Sequence, residues 1–254
     1  MAKGNIPGIY NYCDRWCERC SFTSRCAVYA DENRGKPGEL DTKNKAFWER
    51  LSQNFAKAHS ILNQAAEKFG IDLESVSKEI ENTEDAHEKN FERMKSHPLI
   101  KLTEEYSAFS HNWLKTQPGM LDKLEKLKEN LTMGIESHED AKVQTHTIRE
   151  CLEVIQWYET FLQPKLMRAL TGKADALEFG LEENDPRDAD GSAKVALIGI
   201  ERTMHAWTQL FELLPEQEDH FLKALSMLEK MKNLTVEEFP DARAFVRPGF
   251  DEPL

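Results

Sequence analysis

The stretch YCDRWCERCSFTSRCAVY, residues 12–29, sets Cys13, Cys17, Cys20 and Cys26 at the spacing C-x3-C-x2-C-x5-C. Thiolates are soft ligands, and four of them within so short a run can surround one small inorganic centre if tight turns fold the backbone around it. Structural zinc sites usually pair two C-x2-C knuckles across a longer loop, whereas cubane clusters are often held by compact runs, so the spacing favours a [4Fe-4S] cluster over structural zinc. Four cysteine ligands leave no open coordination position. Such a centre holds the chain together, senses oxidants or moves electrons, and direct substrate activation is not expected of it. Tyr10, Tyr12, Trp16, Phe22 and Tyr29 lie around the ligands and are expected to pack the centre and exclude water. The fifth cysteine, Cys151, falls in a helical pattern far downstream and reads as a small buried hydrophobe.

The last three cysteines, C-x2-C-x5-C, resemble the iron–sulfur loop of the helix-hairpin-helix DNA glycosylases, in which the first gap is longer than the three residues between Cys13 and Cys17. That resemblance covers the cysteine segment alone. A glycine-bearing hairpin followed by a catalytic Lys and Asp is missing, so it does not carry glycosylase activity with it. The first three, C-x3-C-x2-C, are also similar to the motif of radical S-adenosylmethionine enzymes. Those enzymes leave one iron open, whereas Cys26 supplies a fourth ligand here, and the alternating strand–helix pattern of their barrel is absent.

A second constellation lies in the helix seams. Glu84-x-x-His87 is half of the paired motif that holds two metals inside ferritin-like bundles. Its candidate partners are Glu159, in the apolar seam of the longest helix, and Glu201 with His205, four apart on a later one. His138 and Glu159 cannot share a site, because 21 residues of helix at about 1.5 Å each separate them by roughly 30 Å. The ordinary expectation for these residues is hydrogen bonding at the seam edge. The alternative is a metal-dependent oxidoreductase site. The acidic run DPRDADG is not a calcium loop: with Gly191 at the invariant glycine, Pro186 and Leu197 fall on ligand positions.

The net charge is −12. Residues 1–40 carry six basic and five acidic side chains, a balance of +1, so the remainder carries −13. A polyanion is therefore repelled by most of the surface. Nucleic-acid binding through Arg15, Arg19 and Arg25 is a minor alternative, and contact with a protein partner is the expected mode of action. The N-terminal MAKGNIPGIYNYC lacks the apolar stretch of about 7 to 15 residues that a secretory signal needs, and the longest apolar run, VALIGI, is too short to span a bilayer. A cytoplasmic, reducing compartment is expected, where clustered cysteines are ligands rather than disulfides.

These groups must be positioned by helices. A linker, DENRGKPGELD, follows the cysteine segment, so residues 1–40 are expected to form the metal segment, 41–232 a helical bundle and 233–254 an extended tail. Phe47, Leu51, Phe55, Ala58, Leu62, Ala65 and Phe69 give the first long helix, capped by Asp41 or Thr42 and stopped by Gly70. Further helices run from Asp72 to the break at His97-Pro98, through Leu102–Trp113, and through Leu121–Leu131. The longest covers about 136–171 and is expected to kink at Pro164. A polar connection of some twenty residues, TGKADALEFGLEENDPRDADG, leads to a helix from Ser192 and a last one after Pro215. The class is all-α, an up-and-down bundle of about six or seven helices with a small N-terminal four-cysteine segment.

Overall fold

A computed structural model describes residues 4–32, 42–73, 86–117, 119–180 and 188–251. Every regular element among them is helical, and no strand occurs among the described residues. The chain divides into two compact units: Met1–Lys89 with Arg247–Leu254, and Asn90–Val246.

In the first unit, three short 3-10 turns (Ile9–Asn11, Cys17–Arg19, Thr23–Arg25) lead into α1, Ala27–Glu32, and then α2, Lys45–Phe69. The cap of α2 is Asn44, whose Oδ1 accepts the Ala46 N–H at 3.0 Å, rather than Thr42; Asp41 lies outside the described residues. Gly70 ends the helix at φ +65°, a left-handed conformation that costs glycine nothing. Of the expected apolar stripe, Phe55, Leu62 and Phe69 are exposed, and Ala66 is the buried residue of the helix. Helical periodicity thus fixes the element without fixing what covers it.

Residues 86–95 form α3, whose second half opens the second unit. There follow α4 (Pro98–Thr116), α5 (Met120–Thr132), α6 (His138–Phe179), α7 (Asp188–Leu213) and α8 (Glu218–Glu238). Helices α4, α6, α7 and α8 form a closed ring of neighbours, α4 to α6, α6 to α7, α7 to α8 and α8 back to α4, which makes this unit a helical bundle. Local chemistry sets the boundaries. His97 Nδ1 accepts the Leu99 N–H at 3.2 Å with Pro98 in the first turn, and Ser137 Oγ accepts the Asp140 N–H at 3.0 Å.

Helix α6 keeps Pro164 in its interior and runs on through Thr171–Phe179, a stretch expected to belong to a loop. The reason lies in tertiary partners. Ala174 is buried, and the buried Asn90 donates its Nδ2 hydrogens to Asp175 at 2.8 Å and Glu178 at 2.7 Å. Lys173 donates to the carbonyl and carboxylate of Glu238. The expected tail differs as well: α8 continues to Glu238, a 3-10 turn covers Ala242–Ala244, and Phe239, Ala242 and Phe245 are buried.

The α6–α7 interface is the most extensive in the bundle and passes over Gly199. A Cβ at Gly199 would sit 2.8 and 2.9 Å from the Tyr158 ring and 3.1 Å from Leu162 Cδ2. Tyr158 and Leu162 are fully buried and cannot swing away. Gly199→Ala is therefore expected to destabilise the second unit by about 1–3 kcal/mol despite alanine's better helix propensity, read as a lowered urea midpoint. No helix among the described residues is long and apolar enough to cross a membrane.

Candidate functional site

Each of the four N-terminal cysteines sits at the edge of a tight turn. Cys17 opens the turn Cys17–Arg19 and Cys20 closes it, its N–H reaching the Cys17 carbonyl at 3.2 Å. Cys26 closes the turn Thr23–Arg25 and precedes α1. Between Cys13 and Cys17 the chain reverses through Arg15, a non-glycine residue at φ +59°. Asp14 supports that reversal by accepting the Trp16 N–H at 3.3 Å, and the Cys17 N–H closes on the Arg15 carbonyl at 2.9 Å. A left-handed arginine costs about 1–2 kcal/mol, so the surroundings must enforce it.

These turns bring all four cysteines to the wall of one pocket, whose cavity is about 20 Å³. The other walls are largely apolar: Ile9, Tyr10, Trp16, Phe22, Tyr29 and Phe250. Two sulfurs accept backbone hydrogens, Cys20 from the Phe22 N–H at 3.4 Å and Cys26 from the Tyr29 N–H at 3.5 Å, while the Cys13 thiol points at the Tyr10 carbonyl, 3.6 Å away. The donor set fits a thiophilic metal or an iron–sulfur cluster. Among the described residues, however, no three His, Cys, Asp or Glu side chains are drawn to ligating distance of one point, so the sulfurs share a pocket without being gathered at coordination spacing.

The aromatic residues of the segment are only partly gathered there, with Tyr10 at the exposed edge. Tyr10, Trp16, Phe22 and Tyr29 line the pocket, whereas Tyr12 is buried in the same unit and is not part of the wall. The arginines are engaged locally. Arg19 stacks on the Trp16 ring at 4.1 Å, and Arg25 Nε donates to the Gly4 carbonyl at 3.3 Å while the Arg25 carbonyl receives the Ile6 N–H.

The second constellation fares differently. Glu84 lies outside the described residues, and His87 is exposed. Glu159 is buried on α6 and accepts a hydrogen bond from, or pairs with, His111 Nδ1 of α4 at 2.8 Å. Its other oxygen, Oε2, is buried and finds no hydrogen-bond partner among the described residues. Glu201 pairs with Arg243 at 2.6 Å, and His205 is exposed on α7. Each of the described carboxylates is thus engaged by a residue that helical spacing did not indicate. His111 and Arg243 could not be found from spacing, because each lies on a different element from its partner.

Cys151 is buried in the second unit, where burial, aided by the Glu150 charge, pushes its thiol up to about 11. Burial likewise pushes the Tyr106 hydroxyl well above its usual range; that hydroxyl accepts the Trp207 Nε1–H at 2.9 Å. Both groups stay protonated in the fold at pH values where the unfolded chain ionises. The stability they confer is complete below about pH 8.5 and is lost as pH rises from there toward the folded values. Denaturation midpoints are expected to fall steadily above pH 9, and Cys151→Ala should remove the earliest part of that decline.

Matched against known protein families, curated proteins and solved structures, this chain has no counterpart among them.

Proposed function

We propose that Cys13, Cys17, Cys20 and Cys26 hold one inorganic centre, a [4Fe-4S] cluster in the first instance, and that the protein serves a structural, redox or sensing role through a protein partner. The observation carrying this reading is a single apolar pocket walled by all four thiols, two of which accept backbone hydrogens. When bound, a cluster of this kind would supply one-electron chemistry or sensitivity to oxidants. The chain's own residues do the rest. The reversal at Arg15 and the turns Cys17–Arg19 and Thr23–Arg25 bring the four cysteines to one pocket, the Phe22 and Tyr29 N–H groups hold the Cys20 and Cys26 sulfurs there, and aromatic rings form much of its wall; a bound centre would draw the sulfurs together.

A second reading, a structural zinc ion, draws on the cavity of about 20 Å³, which is nearer the size of a single ion than of a four-iron cluster; the sulfurs would close in on it. Anaerobic purification followed by metal analysis separates the two. About four irons per chain with a broad absorption around 400 nm fit the cluster, and one zinc with no visible absorption fits the ion. Protein that purifies metal-free and binds neither metal on reconstitution would overturn both.

A further inference from the structure

The wall of the cysteine pocket is not built from the cysteine segment alone. Phe250 closes part of it, with its ring edge-on to Phe22 at a centroid distance of 5.1 Å and an interplanar angle of 76°. Both residues belong to the first unit, although almost the whole sequence separates them.

Three features hold Phe250 there. Arg247 grips Asp251 through three groups, its backbone N–H on Oδ2 at 3.0 Å, its Nη2 on Oδ1 at 2.8 Å and its Nε on Oδ2 and Oδ1 at 3.1 and 3.3 Å. The two side chains are only 15% and 21% exposed, so the pair is screened far less than a surface ion pair. The Arg247 guanidinium also lies 5.0 Å from the centroid of the Phe250 ring, a cation–π contact. Finally, Gly249 takes φ +76° and lies directly on Ile6 and Ile9; a Cβ there would stand 2.8 Å from Ile6 Cδ1 and 3.2 Å from Ile9 Cδ1. Five residues are thus organised around a shielded ion pair and a backbone contact open only to glycine, and the side chain they present faces the cysteines.

We propose that Arg247–Asp251 is the shielding wall of the cysteine centre, with Phe250 setting how fast chelators, oxidants and thiol reagents reach the four sulfurs. This inference rests on reading the four cysteines as one metal centre. The apolar shell of a metal site governs solvent access, and outer-shell changes alter metal retention without changing a ligand. Phe250 touches no ligand position in sequence. Its removal opens one side of the pocket and leaves all four thiols in place.

The test uses the full chain purified anaerobically, as wild type, Phe250→Leu, Phe250→Val and Phe250→Ala, with metal content measured first. EDTA is then added and release is timed. Release is expected to quicken as the side chain shrinks, reaching about 10- to 100-fold in Phe250→Ala, while Phe250→Leu stays near wild type. Equal rates across the series overturn the proposal. Should Phe250→Ala lose its metal during purification, the graded pair Phe250→Leu and Phe250→Val decides, and a flat pair again overturns it. Should wild type itself hold no metal and take none up, the metal reading fails separately. The wall is then judged on the thiols: iodoacetamide should alkylate the four cysteines faster in Phe250→Ala with Cys151 unchanged, and unaltered rates reject it.

Discussion

Cys17→Ser is expected to abolish binding of the inorganic centre, reducing metal content in the purified protein by about tenfold or more. The serine oxygen is harder and less acidic than a thiol, and it sits on a shorter bond, so it cannot complete a thiolate set. Cys17 is also the residue on which the local path depends, since its N–H closes the reversal at Arg15 and its carbonyl receives the Cys20 N–H. Under the proposed reading the centre also ties these turns together, so without it the turns from Tyr10 to Cys26 are expected to loosen. Proteolysis should then begin within residues 10–30 while Asn90–Val246 survives as a fragment. Cys151→Ser is the matched control. That residue belongs to the second unit and is buried, so it should cost about 1–2 kcal/mol of stability and no metal. Full metal retention in Cys17→Ser would show that Cys17 is not a ligand.

Trp207→Ala carries the largest stability effect. Trp207 is fully buried on α7, packed edge-on to Trp113 at 4.8 Å and against Phe221 at 5.8 Å, and its indole N–H is donated to the Tyr106 hydroxyl. The substitution opens a cavity where α4, α7 and α8 meet and leaves the Tyr106 hydroxyl without that donor. A loss of about 3–5 kcal/mol is expected from the cavity alone, against a total stability of about 5–15 kcal/mol for a domain of ordinary size. Trp207→Phe should retain most of the packing and lose about 1–3 kcal/mol through the missing N–H. Urea denaturation followed by circular dichroism reads both. Equal losses for the two variants would show that the hydrogen bond, and not the ring volume, dominates.

Much of the second unit was legible because its punctuation is local. The proline after His97 and the break at Gln117-Pro118-Gly119 bound its helices, and Gly70 stops α2 of the first unit in the same way, with no reference to distant residues. Where the sequence misled, the deciding partner lay far away. The segment Thr171–Phe179 looks like a loop from its polarity, yet Asn90 turns Asp175 and Glu178 into acceptors on a packed helix. Glu159 was picked out rightly as a polar residue in an apolar seam, but its companion His111 sits on another helix and outside any recognisable motif. The stripe of α2 shows the opposite failure, since periodicity announced a buried face and the structure leaves Phe55, Leu62 and Phe69 exposed.

The cysteine site divides along the same line. That Cys13, Cys17, Cys20 and Cys26 share one pocket is legible because they lie in one short run. Phe250, Arg247 and Asp251 are not, since nothing in RPGFD alone points to thiols that stand at the opposite end of the sequence.

That separation has a consequence for how the protein is made. During synthesis, Cys13 to Cys26 leave the ribosome long before Phe250 is added, and contacts so distant along the chain form late in folding. For most of its translation time the nascent chain therefore carries an open cradle of thiols. Under the proposed reading, iron or zinc would have a wide kinetic window in which to arrive before the ring of Phe250 closes the pocket.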